Sequence, residues 1–126
     1  MTRLILDAGA FVAYERGDAG VRVHLVAARR LTHELITTSP VVAQVWRDGR
    51  RQALLAGLLR GVRVDAPGEE AARRAGALLT RTRTRDVVDA LVVCLARTGD
   101  NIVTSDPDDI GLLLDAAGVR VGVVTV

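Results

Sequence analysis

Short apolar runs ending on a polar residue, separated by stretches with helical spacing, limit most tightly how this chain can fold. The run RLIL at residues 3–6 ends at Asp7, and comparable runs occupy 35–38, 62–65, 101–104 and 121–126. They are apolar throughout rather than alternating, as expected of strands covered by helices on both faces. Between them, apolar spacing predicts helices over 8–14, 21–31, 41–47, 50–59, 69–79, 86–97 and 107–117. Ser39 and Pro40 suit the cap and first position of a helix. Glu69 and Glu70 stand in a first turn, where the helix dipole favours acids. Strands that alternate with helices pair in parallel through right-handed crossovers. The expected fold is therefore α/β: a three-layer α/β/α sandwich on a short, mainly parallel five-stranded sheet, with residues 1–126 as a single domain.

Open parallel sheets place their sites outside the carboxyl ends of the strands, where the strand order reverses. Asp7 directly follows the first strand and Asp106 closely follows the fourth. If those strands are neighbours, both carboxylates reach the same edge. Asp86 and Asp89 open the intervening helix at i and i+3, on one helix face. Each acid also has a purely structural reading. Asp7 and Asp86 suit helix caps, and Asp106 before Pro107 suits an N-cap with Asp108 and Asp109 in the first turn behind it. Asp89 is the exception. It interrupts VVDALVVCLA on the inward side, and a buried carboxylate without a partner is costly.

Like charges gathered at close range raise one another's pKa. A hard divalent cation such as Mg2+ relieves this, taking a few carboxylates and keeping waters and substrate phosphates. Such an ion polarises a phosphodiester and acidifies a bound water, so the chemistry suggested is metal-assisted hydrolysis of a nucleic acid.

The remaining composition narrows the alternatives. No run approaches the roughly 20 apolar residues of a membrane span, and the first residues lack the order of a secretory signal; a cytoplasmic protein with no membrane partner is expected. Cys94 is the single cysteine, which leaves no internal disulfide or multi-cysteine zinc site, and it reads as a small buried hydrophobe. His24 and His33 stand apart from any evident nucleophile. All 17 basic residues are arginine while the net charge is only +2. Guanidinium groups pair bidentately with phosphate, so an acidic centre with a basic rim fits better than a general DNA-coating surface.

The segments LILDAGAF, RDVVDALVV and IVTSDPDDI, in this order and rough spacing, resemble the PIN-domain family across essentially the whole chain. Among its members they look closest to the VapC-type toxins of bacterial toxin–antitoxin pairs. The resemblance implies a ribonuclease dependent on Mg2+ or Mn2+, an RNA substrate, a homodimer, and a small antitoxin protein as partner. It implies that Asp7, Asp89 and Asp106 are catalytic and hold metal, with Asp109 as a further metal ligand; Gln44, Asp86 and Thr104 are read as supporting residues, Asp86 without a clear counterpart in the family pattern.

Two features depart from the family pattern. Where the family usually has glutamate in the helix after the second strand, SPVVAQVWR has Gln44, which can accept a hydrogen bond but brings no charge. Asp48 is the next acid beyond it. A degenerate PIN domain that binds an antitoxin or RNA without efficient cleavage is the alternative that Gln44 favours. Ala8–Gly9 also replaces the hydroxyl residue that often follows the first acid. In RTRTRD, Arg81, Arg83 and Arg85 are read as a basic connector that offers contacts to RNA phosphates. Trp46 suits either packing or stacking on an unpaired base.

Overall fold

The computed structural model describes residues 2–126. Five strands, β1 (Arg3–Leu6), β2 (Glu34–Thr38), β3 (Arg63–Asp65), β4 (Asn101–Thr104) and β5 (Gly122–Thr125), alternate with seven helices. These are α1 (Ala8–Glu15), α2 (Ala19–Arg30), α3 (Ser39–Val45), α4 (Ala53–Leu59), α5 (Glu69–Thr82), α6 (Val87–Leu95) and α7 (Pro107–Ala117). The sheet order is β3-β2-β1-β4-β5, and every pairing is parallel. The three-layer α/β/α sandwich expected from the sequence is the architecture found.

The chain winds outward from β1 through β2 to β3, crosses to β4 on the other side of β1, and ends at β5. The reversal therefore lies between β1 and β4, which places Asp7 and Asp106 at adjacent strand ends. Helices α1 to α4 pack on one another, with α1 against β1 and β4 and α2 and α3 against β2, while α5, α6 and α7 pack together, with α6 also against β2 and α7 against β5. All four residues of β1 are buried, and Ile5, Leu6, Phe11, Ile36, Ile102 and Ile110 sit at the centre of the core. Edge strands β3 and β5 are largely exposed, which is where a parallel sheet keeps its short strands.

Several boundaries differ from expectation for local reasons. Helix α3 stops at Val45 rather than Arg47, because Trp46 turns to extended backbone. The Gln52 side chain then gathers that loop, accepting from the Arg47 and Asp48 N–H groups and donating to the Val45 carbonyl. Helix α4 accordingly begins at Ala53 instead of Arg50. The N-cap of α3 is Thr38, not Ser39, and its side chain makes no capping bond. Helix α5 runs on to Thr82, so Arg81 is helical and only the residues from Arg83, left-handed at φ 57°, form the connector.

One buried ion pair ties the amino edge of the sheet together. Arg3 donates from Nη2 to Asp100 Oδ2 at 2.7 Å and from Nε to Oδ1 at 3.1 Å, and also from Nη2 to the Leu95 carbonyl at 2.9 Å. The Arg97 N–H adds a further bond to Asp100. Burial works against the Asp100 carboxylate, but the Arg3 bond, the Arg97 N–H and both positive charges outweigh it and hold its pKa below the ordinary value.

Candidate active site at the carboxyl edge of the sheet

Asp7 follows β1 and is only 3% exposed. Its Oδ1 accepts the Ala8 N–H at 2.8 Å and its Oδ2 accepts the Thr104 hydroxyl at 2.7 Å. The same Thr104 oxygen accepts the Asp106 N–H at 3.0 Å. Thr104 thus fixes the first acid and orients the turn that carries the third. Burial raises the Asp7 pKa, the Thr104 and Ala8 bonds oppose the rise, and the charges of Asp106 and Asp86 add to it.

Asp89 lies within the first turn of α6 and is 5% exposed. Its Oδ2 has no hydrogen-bond partner. Burial, followed by the charges of Asp7, Asp86, Asp106 and Asp109, pushes its pKa from 3.8 up to about 7. Asp89 thus feels the charges of the acids that end β1, cap α6 and α7, and stand in the first turn of α7.

The structural alternatives now separate. Asp86 does cap α6, accepting the Asp89 N–H at 3.0 Å. Asp106 occupies the N-cap of α7, yet its side chain makes no capping bond and remains exposed. Capping therefore does not account for Asp106. Asp108 and Asp109 are exposed first-turn acids of α7.

Among the described residues, no three Asp, Glu, His or Cys side chains already form a ligating group around one point. The donors nevertheless suit a divalent cation of the hard type. Magnesium binds through one or two carboxylates and keeps its other positions for water and phosphate, and the unpartnered, buried Oδ2 of Asp89 is an oxygen that lacks a cation or donor. Asp7, Asp89 and Asp106 offer the carboxylate oxygens from which such an ion would be held.

Gln44 is exposed on α3, and the Trp46 ring is 38% exposed and packs close to Gly49. Arg81, Arg83 and Arg85 are exposed and form no ion pair among the described residues. Gly9 has a packing reason. A Cβ there would lie 2.8 Å from the Ser105 backbone nitrogen and 2.7 Å from its Cβ, so only glycine lets α1 approach the β4–α7 turn. Ser105 fills the space that a side chain at position 9 would need. Beside this contact lies a cavity of about 470 Å³ lined by Ala8, Val12, Arg16, Asp18, Ser105 and Val126, with none of the clustered acids in its wall. Thr38, buried at the end of β2, was not anticipated as a site residue; its neighbours in ITTSP carry no chemical signature.

The strand order and the acids define the class: a parallel three-layer domain with acids at the ends of the adjacent strands β1 and β4, its topological switch point. The family model described as PIN domain matches residues 4–111, and the chain belongs to the PIN-domain family. Its fold is similar to that of a chain in the crystal structure of VapBC2 from Rickettsia felis bound to a DNA fragment from their promoter. The TM-score is 0.72 over 97% of this chain and 98% of that one, at 11% identity. No curated protein matches the sequence. Among the described residues no helix is long and apolar enough to cross a membrane.

Proposed function

We propose that this chain is an endoribonuclease dependent on Mg2+ or Mn2+ and the toxin component of a type II toxin–antitoxin pair. The carrying observation is the buried carboxylate of Asp89, unpartnered at Oδ2 and set among the charges of Asp7, Asp86, Asp106 and Asp109. Domains of this family are generally nucleases that use divalent ions. Likeness to a chain of a VapBC complex supports a small antitoxin as partner, and a homodimer is the assembly we assign.

When bound, the metal supplies charge that stabilises the scissile phosphate and acidifies the attacking water. The chain's residues supply the rest. Thr104 orients the Asp7 carboxylate, and the N-terminal turn of α7 lowers the cost of placing Asp106 and Asp109 close together. Arg81, Arg83 and Arg85 are exposed on the approach to α6 and serve as phosphate contacts that place RNA without reading its sequence.

Cleavage of a panel of transfer and ribosomal RNAs, with Mg2+ or with a chelator, tests this. Wild-type protein is expected to cut only with metal, and Asp7→Asn to lose about 10³-fold or more, on the scale of removing a principal charge-stabilising group. Full cutting by folded Asp7→Asn would remove the site assignment. The exposed amide of Gln44 supports the second reading, a domain that binds without efficient cleavage. Gln44→Glu separates the two, since an enzyme short of one carboxylate gains metal affinity and rate, whereas a binding module gains neither.

A further inference from the structure

Two buried polar side-chain atoms lack a hydrogen-bond partner among the described residues: Asp89 Oδ2 and Thr38 Oγ1. The first belongs to the acid cluster. The second lies at the end of β2 in a residue only 1% exposed. Their positions relate them. Ile5 pairs with Ile36, so two residues further on Asp7 falls beside Thr38 across the adjacent strands. Side chains of a strand alternate between faces, which sets Thr38, Ile36, Ile5, Arg3 and Asp7 on one face. Arg3 bonds the carbonyl of Leu95 at the end of α6, so this is the face that α6 covers, and α6 packs directly on β2. Strand neighbours are about 4.8 Å apart. Thr38 therefore stands under the helix that carries Asp89 and one strand away from Asp7.

Asp7 has a threonine on each side. The Thr104 hydroxyl is committed to Asp7 Oδ2, and Asp7 Oδ1 is committed to the Ala8 N–H. Thr38 has its donor to spare. A groove of about 330 Å³, lined in part by Thr38, Asp65, Leu91 and Arg97, passes beside this point from the β3 edge. An orphaned buried hydroxyl is destabilising, and valine would fit the same space without that cost.

We propose that Thr38 is a positioning residue of the metal site. Its hydroxyl donates to the Asp89 carboxylate, directly or through one water, when that carboxylate holds a divalent cation. The inference rests on the metal-site reading above. Carboxylates that hold metals are oriented by such outer donors, whose loss costs roughly 10–100-fold in affinity.

The test is thermal melting of wild type, Thr38→Val and Thr38→Ser at pH 8 across a series of Mg2+ and Mn2+ concentrations. Thr38→Val is expected to melt at the same or a higher temperature without metal, yet to need about 10-fold more metal for half of the stabilisation. Thr38→Ser retains the wild-type midpoint, and Thr38→Ala repeats the valine result if the extra methyl crowds α6. Equal midpoints for wild type and Thr38→Val would overturn the inference, as would a serine variant as weak as valine. A wild type that does not respond to either metal, and melts like Asp7→Asn throughout, overturns the metal-site reading itself and this inference with it.

Discussion

Asp89→Asn should melt roughly 5–15 °C above wild type at pH 8 in the absence of divalent metal, and within about 2 °C of it at pH 4. The sign follows from linkage. In the folded protein, burial and four neighbouring carboxylates raise the Asp89 pKa from 3.8 to about 7, so the folded state binds a proton that the unfolded chain has released. Its contribution to stability is full below about pH 4 and is lost as the pH rises through about 7. The free energy involved reaches about 4 kcal/mol at most, at about 1.4 kcal/mol for each tenfold change in proton affinity. Asparagine resembles the protonated acid and carries no such dependence. Asp7, raised mainly by burial, adds in the same direction, whereas Asp100, held low by Arg3, loses its contribution in acid. Melting curves of both proteins between pH 4 and 9 check this, and an asparagine variant less stable than wild type at pH 8 contradicts it. The same substitution should abolish RNA cleavage, so stability and activity are opposed at one residue.

Asp100→Ala is expected to destabilise the fold by about 3–5 kcal/mol, because it leaves the Arg3 guanidinium buried with only the Leu95 carbonyl for company. Both side chains are buried, at 8% and 5% exposure, so solvent cannot replace the lost partner. Replacing both, as Arg3→Met with Asp100→Leu, should recover most of the loss, since a buried pair is often worth no more than a packed apolar one. Urea unfolding of the single and double variants measures the difference. A single variant within about 1 kcal/mol of wild type would mean that water enters the amino edge of the sheet.

That ion pair marks what the sequence could not reveal. RLIL reads as an apolar strand led by a surface arginine, because nothing local shows that Arg3 and Asp100, 97 residues apart, meet under the end of α6. The strands themselves were readable. Burial on both faces imposes continuous apolar runs, and helices of 3.6-residue period separate them, which together imply the parallel order found. Helix ends were read less well where a side chain acts at a distance. Gln52, not any residue of α3, holds the loop that ends that helix at Val45. In the site, Asp89 was readable as a charge out of place on an apolar face. The capping alternative for Asp106 was resolved only by geometry, since a cap and a free carboxylate share the same sequence. Thr38 was invisible, because its significance lies in a bond that it does not make.

The central claim is that Asp7, Asp89 and Asp106 together hold a divalent cation. Line broadening by Mn2+ in amide spectra of the wild-type protein at pH 8 tests it most directly. The first signals to broaden should be those of Asp7 and Ala8, of Asp86 to Ala90, and of Thr104 to Asp109, with the effect absent from Asp7→Asn. Broadening centred instead on exposed acids such as Glu69 and Glu70, with the carboxyl edge of the sheet left sharp, would contradict the account.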